Sequence, residues 1–127
     1  MKKAYIIMNH ALNEEQAAEL KTTWAVDEII YATDEVAKTW SQIEPSTELP
    51  TKPIEAVQDF LKGAAPGDVV LIQGEMGATF AMVDWLLNKG MVPIHACSKR
   101  DTIEKDGIKT SVFKHVCFRK YRRLILA

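Results

Sequence analysis

Short apolar runs alternate along this chain with longer segments whose apolar residues recur at helical spacing. The short runs are rich in β-branched side chains and predict buried strands at 4–8, 28–32, 69–72 and 91–97. The helical spacing predicts helices at 13–24, 33–43, 54–64 and 78–89. Strands that alternate with helices indicate an α/β fold, in which a mainly parallel sheet carries helices on both faces.

The residues at the segment boundaries support this division of the chain. Asn13 is a favourable N-cap in a capping-box sequence, and Thr33 precedes the next helix in the same way. Pro53 suits the first turn of the third helix, and Gly90 suits the end of the fourth. Residues 44–52 contain prolines that cannot continue a helix and therefore predict a loop.

The C-terminal part of the chain differs from the rest. Residues 101–107 are polar and predict a turn, and residues 108–121 alternate with a period of two, as a strand does. No helix-length segment separates this strand from the one before it, so we expect it to run antiparallel at the sheet edge. Residues 1–127 then form a single domain with a Rossmann-like fold.

The charges are balanced overall but unevenly distributed. The net charge is −1, which argues against general DNA binding, whereas the end of the chain is rich in Lys and Arg. Two cysteines, Cys97 and Cys117, are too few for a disulfide scaffold and predict reduced thiols. No apolar run has the length of a signal peptide core or a membrane span, so we expect a cytoplasmic protein.

The segment 69–80 predicts a buried strand, a glycine-containing turn and a helix in immediate succession. That geometry directs backbone N–H groups and the positive end of a helix dipole towards an anion. Gly77 would allow a ligand to approach the backbone, and Thr79 offers a hydroxyl in the first turn. A packing role for the glycines is an equal alternative, because the turn matches neither a Walker A loop nor a GxGxxG motif.

Three predicted strand ends carry polar or cationic residues, and in a parallel sheet such ends lie at one edge, where ligands bind. They are Asn9–His10, the turn from Gln73 to Thr79, and the run Ser98–Lys99–Arg100. Each has a plainer explanation, since Asn9 can satisfy a turn and the cations can belong to a solvated loop. Their coincidence at one edge is the best indication of a site.

The last strand adds a fourth group of candidates. His115, Arg119 and Tyr121 share one face of it and can contact a phosphate and a base, although Arg119 can equally protect an edge strand from aggregation. Other chemistries lack their motifs: there is no nucleophile elbow, and the scattered histidines do not predict a metal site. Cys97, close to Lys99 and Arg100, is more typical of a packed thiol than of a nucleophile.

Four blocks of this sequence resemble the small CRISPR-associated Csx-type proteins of type III CRISPR systems, which act as ring nucleases. The blocks are Asn9–His10, QGEMGATF at 73–80, PIHACSKR at 93–100 and VFKHVCFRKY at 112–121, and the last is the most specific. The resemblance implies a Rossmann-like, CARF-like core, a homodimer, and metal-independent linearisation of a cyclic oligoadenylate without a cofactor. The ligand it implies is usually cyclic tetra-adenylate, bound across the two-fold axis.

Position and residue type assign roles within that chemistry. Attack of a ribose 2′-hydroxyl on the adjacent phosphate needs an in-line geometry, stabilisation of charge and, optionally, a general base. The candidate catalytic residues are His10, Arg100 and His115. The candidate ligand-binding residues are Asn9, Gln73, Gly74, Gly77, Ala78, Thr79, Ser98, Lys99 and Arg119.

Three other functions remain compatible with the sequence. A non-catalytic sensor or sponge would use the same residues to bind the cyclic nucleotide without cutting it. An unrelated α/β module would bind mononucleotides without preferring a cyclic ligand. An RNA-binding accessory role fits less well, because the net charge is −1 and few aromatic residues lie among the cations.

Overall fold

A computed structural model describes residues 1–125, which form five strands, four α-helices and one short 3₁₀ turn. The strands are β1 (Lys3–Ile7), β2 (Glu28–Tyr31), β3 (Val69–Ile72), β4 (Val92–Lys105) and β5 (Ile108–Lys120). The helices are α1 (Glu14–Thr22), α2 (Asp34–Ser41), α3 (Lys52–Phe60) and α4 (Met76–Asn88), with the 3₁₀ turn at Leu61–Gly63.

The strands form one sheet in the order β2-β1-β3-β4-β5. The first four are parallel, and β5 pairs antiparallel with β4 at the edge, which confirms the predicted α/β class and the antiparallel edge strand. The chain adds β2 on one side of β1 and then β3 on the other. The carboxyl ends of β1 and β3 therefore flank a topological switch point, where open α/β sheets bind ligands.

Both faces of the sheet are covered. Alternate residues of β1 and β3 enter two separate cores, as the two-residue period of a strand requires. One core contains Tyr5, Ile7, Val70 and Ile72 with side chains from α2, α3 and α4. The other contains Ala4, Ile6, Val69 and Leu71 with Leu20 of α1 and Phe118 of β5. The central strands are therefore buried on both sides, which explains their continuous apolar sequences.

The predicted caps are present. The Asn13 side chain accepts from the Gln16 N–H at 2.8 Å, and the Gln16 side chain accepts from the Asn13 N–H, completing the capping box. The Thr33 hydroxyl accepts from Val36 N–H, and Gly90 follows α4 with a φ of +80°. Gly90 is thus in the left-handed region that a C-terminal cap requires.

The prediction of a turn over residues 101–107 is wrong. β4 continues to Lys105, and the turn consists of Asp106 and Gly107, with φ values of +54° and +78°. Both positive angles are typical of the two-residue hairpin turn that Asp-Gly sequences favour. We call residues 98–114 the arm. The β4 half of the arm is polar because it extends past the core, and that polarity concealed it in the sequence, whereas the β5 half was predicted as a strand.

A tryptophan lies beneath the glycine turn that follows β3. The Trp40 side chain is 1% exposed, and its Nε1–H donates to the Gln73 carbonyl at 3.1 Å. A Cβ atom added to Gly74 would lie 2.5 Å from Trp40 Nε1. Gly74 is therefore needed so that the turn can lie directly on the indole.

Gly74→Ala should destabilise the fold by about 1–3 kcal/mol, because the indole has to move in a packed core. Urea denaturation measures the change in the free energy of unfolding. The matched control is Gly63→Ala, where an added Cβ meets nothing within 4 Å. Equal stability of the two variants would contradict this assignment of Gly74.

Candidate functional site

Asn9 and His10 lie at the carboxyl end of β1, beside the switch point. Both residues are exposed. With Tyr31 and Asp34 they line an open cavity of about 300 Å³ between β1 and the start of α2. An imidazole and an amide are thus available to a ligand at the carboxyl edge of the sheet, on the side of β1 that faces β2 and α2.

The glycine turn after β3 is less open than the sequence suggested. Glu75 is the N-cap of α4, and its carboxylate accepts a hydrogen bond from the Gly77 N–H. Ala78 is buried, and the Thr79 hydroxyl is buried with no hydrogen-bond partner among the described residues. The protein's own carboxylate therefore occupies the helix N-terminus where a phosphate was expected.

Gln73 is also engaged within the fold. Its side-chain Oε1 accepts from the Ala96 N–H at 2.9 Å, which continues the β3–β4 ladder after β3 has ended. The hydroxyl of Tyr121 donates to the Ile72 carbonyl at 2.7 Å. Burial raises the pKa of the Tyr121 hydroxyl, so the donor stays protonated at neutral pH. These bonds make the carboxyl end of β3 a structural junction.

His115 fixes the base of the arm to α1. Its side chain is 4% exposed, Nε2 lies 2.7 Å from Glu19 Oε1, and Nδ1 lies 3.5 Å from Gln16 Nε2. Its ring also packs against Phe118, with 4.7 Å between the ring centroids. His115 is therefore positioned as a structural residue.

Glu19 is the acceptor at the centre of this contact. Burial by itself raises the pKa of the Glu19 carboxyl. Hydrogen bonds from the Phe118 N–H, the Trp24 indole and His115 together lower it by more than burial raises it, so the net shift of the pKa is downward. The ionised form of Glu19 is therefore the one that the fold stabilises.

The Glu19 contact predicts a pH dependence of stability. Because the folded pKa lies below the ordinary value of 4.5, the stabilisation is complete above that pH and is lost as the pH falls through the folded pKa. The melting temperature of Glu19→Gln should be lower than that of the parent at pH 7. The difference in melting temperature between the variant and the parent should become smaller below about pH 4.5.

Glu28→Gln is the control for this prediction, since Glu28 is an exposed residue on the outer strand β2. We expect it to follow the parent at every pH. A gap between Glu19→Gln and the parent that stays constant from pH 7 to pH 3 would show that Glu19 does not act through its charge.

The remaining candidates lie on or beside the arm. Ser98, Lys99 and Arg100 are exposed, but they are inside β4 and not at its end as predicted. The Arg100 guanidinium donates to the Ser111 hydroxyl from Nε at 3.1 Å and Nη2 at 3.0 Å. Arg119 is exposed on β5, opposite His95.

The predicted site residues therefore line different surfaces of one chain. Asn9 and His10 line the cavity beside Tyr31, and Gln73, Gly74 and Thr79 line a second cavity beside Tyr121. His115 lines a third cavity, between the arm and the start of α1. The sequence prediction did not include two partners, Glu19 and Glu75. Glu19 contacts His115 across 96 positions, which leaves no local pattern, whereas Glu75 caps the helix that directly follows it.

A family model matches residues 2–119, nearly the whole of the described chain. The chain belongs to the Uncharacterized protein MJ1673 family. A relative carrying the family's name, the uncharacterized protein MJ1673 of Methanocaldococcus jannaschii, is 38% identical over 126 residues. That alignment covers 95% of this chain and 98% of the relative. The MJ1673 family match thus includes β1, the glycine turn and almost all of the arm-bearing hairpin, and no solved structure matches the chain significantly.

Two further properties of this MJ1673 family member concern membranes and metals. Within residues 1–125, no helix combines the length and apolar content that a bilayer crossing requires. In the same part of the chain, no three His, Cys, Asp or Glu side chains are grouped so that they could hold a metal ion.

Proposed function

We propose that this protein is a ring nuclease, which binds a cyclic oligoadenylate and linearises it to end type III CRISPR signalling. The substrate is most simply cyclic tetra-adenylate, and the working form is a homodimer with a Rossmann-like, CARF-like core. The resemblance of four sequence blocks to Csx-type proteins supports this proposal, as does the α/β sheet with its switch point between β1 and β3.

The observation that carries the proposal is the exposed Asn9–His10 pair at the carboxyl end of β1. Metal-independent cleavage of RNA needs a group that removes the proton from a ribose 2′-hydroxyl. A neutral imidazole does this near pH 7, and an adjacent amide can hold the ribose through its donor and acceptor atoms. His10 is therefore assigned as the general base and Asn9 as the orienting group.

The reaction needs no further reactant. The ribose 2′-oxygen attacks the adjacent phosphorus, and the bond from phosphorus to the 5′-oxygen of the next nucleotide breaks. The proton of the 2′-hydroxyl passes to His10, and the departing 5′-oxygen takes a proton from solvent. A single cut opens the ring, and the product is a linear oligoadenylate with a 2′,3′-cyclic phosphate at one end and a 5′-hydroxyl at the other.

The internal contacts of the fold revise the other roles. His115 is held by Glu19, and Glu75 already fills the amide cradle of α4, so neither the buried histidine nor the cradle enters the mechanism. The negative charge of the ring is balanced instead by the exposed cations of the arm, Lys99 and Arg100. Ser98, next to them, adds a hydroxyl to the same surface.

Incubation of the protein with a large excess of cyclic tetra-adenylate tests the proposal. We expect linear products with 2′,3′-cyclic phosphate ends, in amounts far above one per protein, and an unchanged rate in a metal chelator. Binding without product beyond stoichiometry would instead identify a sponge or sensor. Equal binding of AMP and the cyclic ligand would favour an unrelated nucleotide-binding module.

A further inference from the structure

The arm extends well beyond the body of the protein. The last residue pair between β3 and β4 is Leu71 with Ile94, whereas the β4–β5 hairpin continues to Lys105 and Ile108. At the usual rise of a strand, Lys105 lies about 26 Å past Cys97. The arm therefore projects from the same edge of the sheet as Asn9 and His10.

The arm carries apolar side chains that residues 1–125 leave exposed. The exposed fractions are 53% for Ile103, 68% for Ile108, 36% for Val112 and 71% for Phe113. A two-stranded hairpin is marginally stable in water unless a further element packs against it. An arm of this length and composition is therefore expected to have a binding partner.

The charges of the arm complement those of the edge from which it projects. The arm has a cationic excess, with five basic residues against three acidic ones: Lys99, Arg100, Lys105, Lys109 and Lys114 against Asp101, Glu104 and Asp106. The helix N-termini at the sheet edge carry exposed carboxylates, which we call the acidic rim: Glu14, Glu15, Asp34, Glu35 and Glu75. Arm and acidic rim attract each other, and both belong to this one chain.

We propose that the arm of one copy docks across the acidic rim of a second copy, around a two-fold axis. Lys99 and Arg100 of each copy then complete the Asn9–His10 site of the other. The shared site rests on the proposed function, because Lys99 and Arg100 of the second copy supply the cations that an anionic ring needs beside His10. The first part concerns only how two copies associate.

The direction of the Arg100 side chain supports a site shared between copies. Arg100 is paired across the hairpin with Phe113, but its guanidinium contacts Ser111, which is paired with Thr102 nearer the tip. The charge is thus directed along the arm, away from the edge of its own sheet. A second copy that receives the arm would meet this guanidinium.

A second copy is the partner that the charges favour over another protein. Because arm and acidic rim are on the same chain, a two-fold axis matches both pairs of surfaces at once, as an isologous interface does. The dimer also places cations over a rim that would by itself repel a ring of phosphates.

Light scattering of the full chain tests the docking. We expect the mass of a dimer at micromolar concentration, and the mass of a monomer for the double variant Ile103→Asp/Ile108→Asp. Both side chains are exposed, so these changes leave the folded core intact, which circular dichroism verifies. The matched control, Lys62→Asp, changes an exposed residue before β3 and should remain dimeric. A monomeric parent, or a dimer that survives the double variant, overturns the proposal.

Carbodiimide crosslinking between isotopically labelled and unlabelled copies locates the contact independently of activity. Links between arm lysines and acidic-rim carboxylates should join one labelled and one unlabelled peptide. If links are found only within a single copy, the arm contacts the acidic rim of its own copy, and the proposal of a shared site is wrong.

Mixing two inactive variants tests the shared site through catalysis. In a dimer of His10→Ala with Arg100→Ala, one of the two sites receives both native residues. After subunit exchange, roughly a quarter of the parent turnover should return, because half of the dimers are mixed and each has one intact site. If the parent is active but mixing the two variants restores no turnover, the site is not shared between copies. A parent that dimerises through the arm but cuts no cyclic oligoadenylate refutes the proposed function and leaves the docking standing.

Discussion

His10→Ala is expected to reduce the turnover of cyclic tetra-adenylate by about 10²–10⁴-fold, the usual contribution of a general base. The affinity for the ring should change little, because in the proposed mechanism the exposed imidazole acts on a proton while the arm cations bind the phosphates. Single-turnover cleavage, with binding measured separately by calorimetry, distinguishes these two effects.

His95→Ala is the matched control, since it removes the imidazole of another histidine. His95 lies on β4, and its ring packs against that of Tyr121. The variant should retain the parent rate. If His10→Ala cleaves at the parent rate, the histidine has no part in the reaction.

Trp40→Ala should cost about 3–5 kcal/mol of stability, the largest effect we expect from a single core substitution. The indole is among the largest fully buried side chains of the described chain, and it also donates to the Gln73 carbonyl. Trp40→Phe keeps much of the packing and loses the hydrogen bond, so a cost of about 1–2 kcal/mol is expected. Chemical denaturation measures both changes.

The same tryptophan provides a test of the contact with Gly74. Because the closest atom to an added Cβ is Trp40 Nε1, Gly74→Ala should cost less in a Trp40→Phe background than in the parent. Additive effects of the two substitutions would show that the indole does not determine the need for glycine at this turn.

Most of the fold could be predicted from the sequence because it depends on local patterns. Continuous apolar runs such as Val69–Ile72 predicted strands buried on both faces, and cap residues such as Asn13 predicted where helices begin. The β4 half of the arm was missed because it alternates polar and charged residues with few apolar ones. Its one clear signal was Asp106–Gly107, the residue pair typical of a tight hairpin.

The site was less predictable, because the engagement of a side chain depends on residues far away in sequence. His115 is 96 positions from Glu19, and Gln73 is 23 positions from Ala96, whose N–H donates to the Gln73 side chain. Glu75 could have been identified as an anionic cap, since it directly precedes the helix. Asn9 and His10 were placed correctly at a strand end because that inference needed only the end of β1.

A structure of the protein with a cyclic tetra-adenylate whose 2′-hydroxyls are replaced by hydrogen tests the central claim most directly, because this ligand lacks the nucleophile and cannot be cut. We predict that the ring lies at the carboxyl edge of β1, with His10 beside a ribose C2′ and with Lys99 and Arg100 on its phosphates. A ring bound elsewhere on the protein, or no binding at millimolar concentration, would contradict the account.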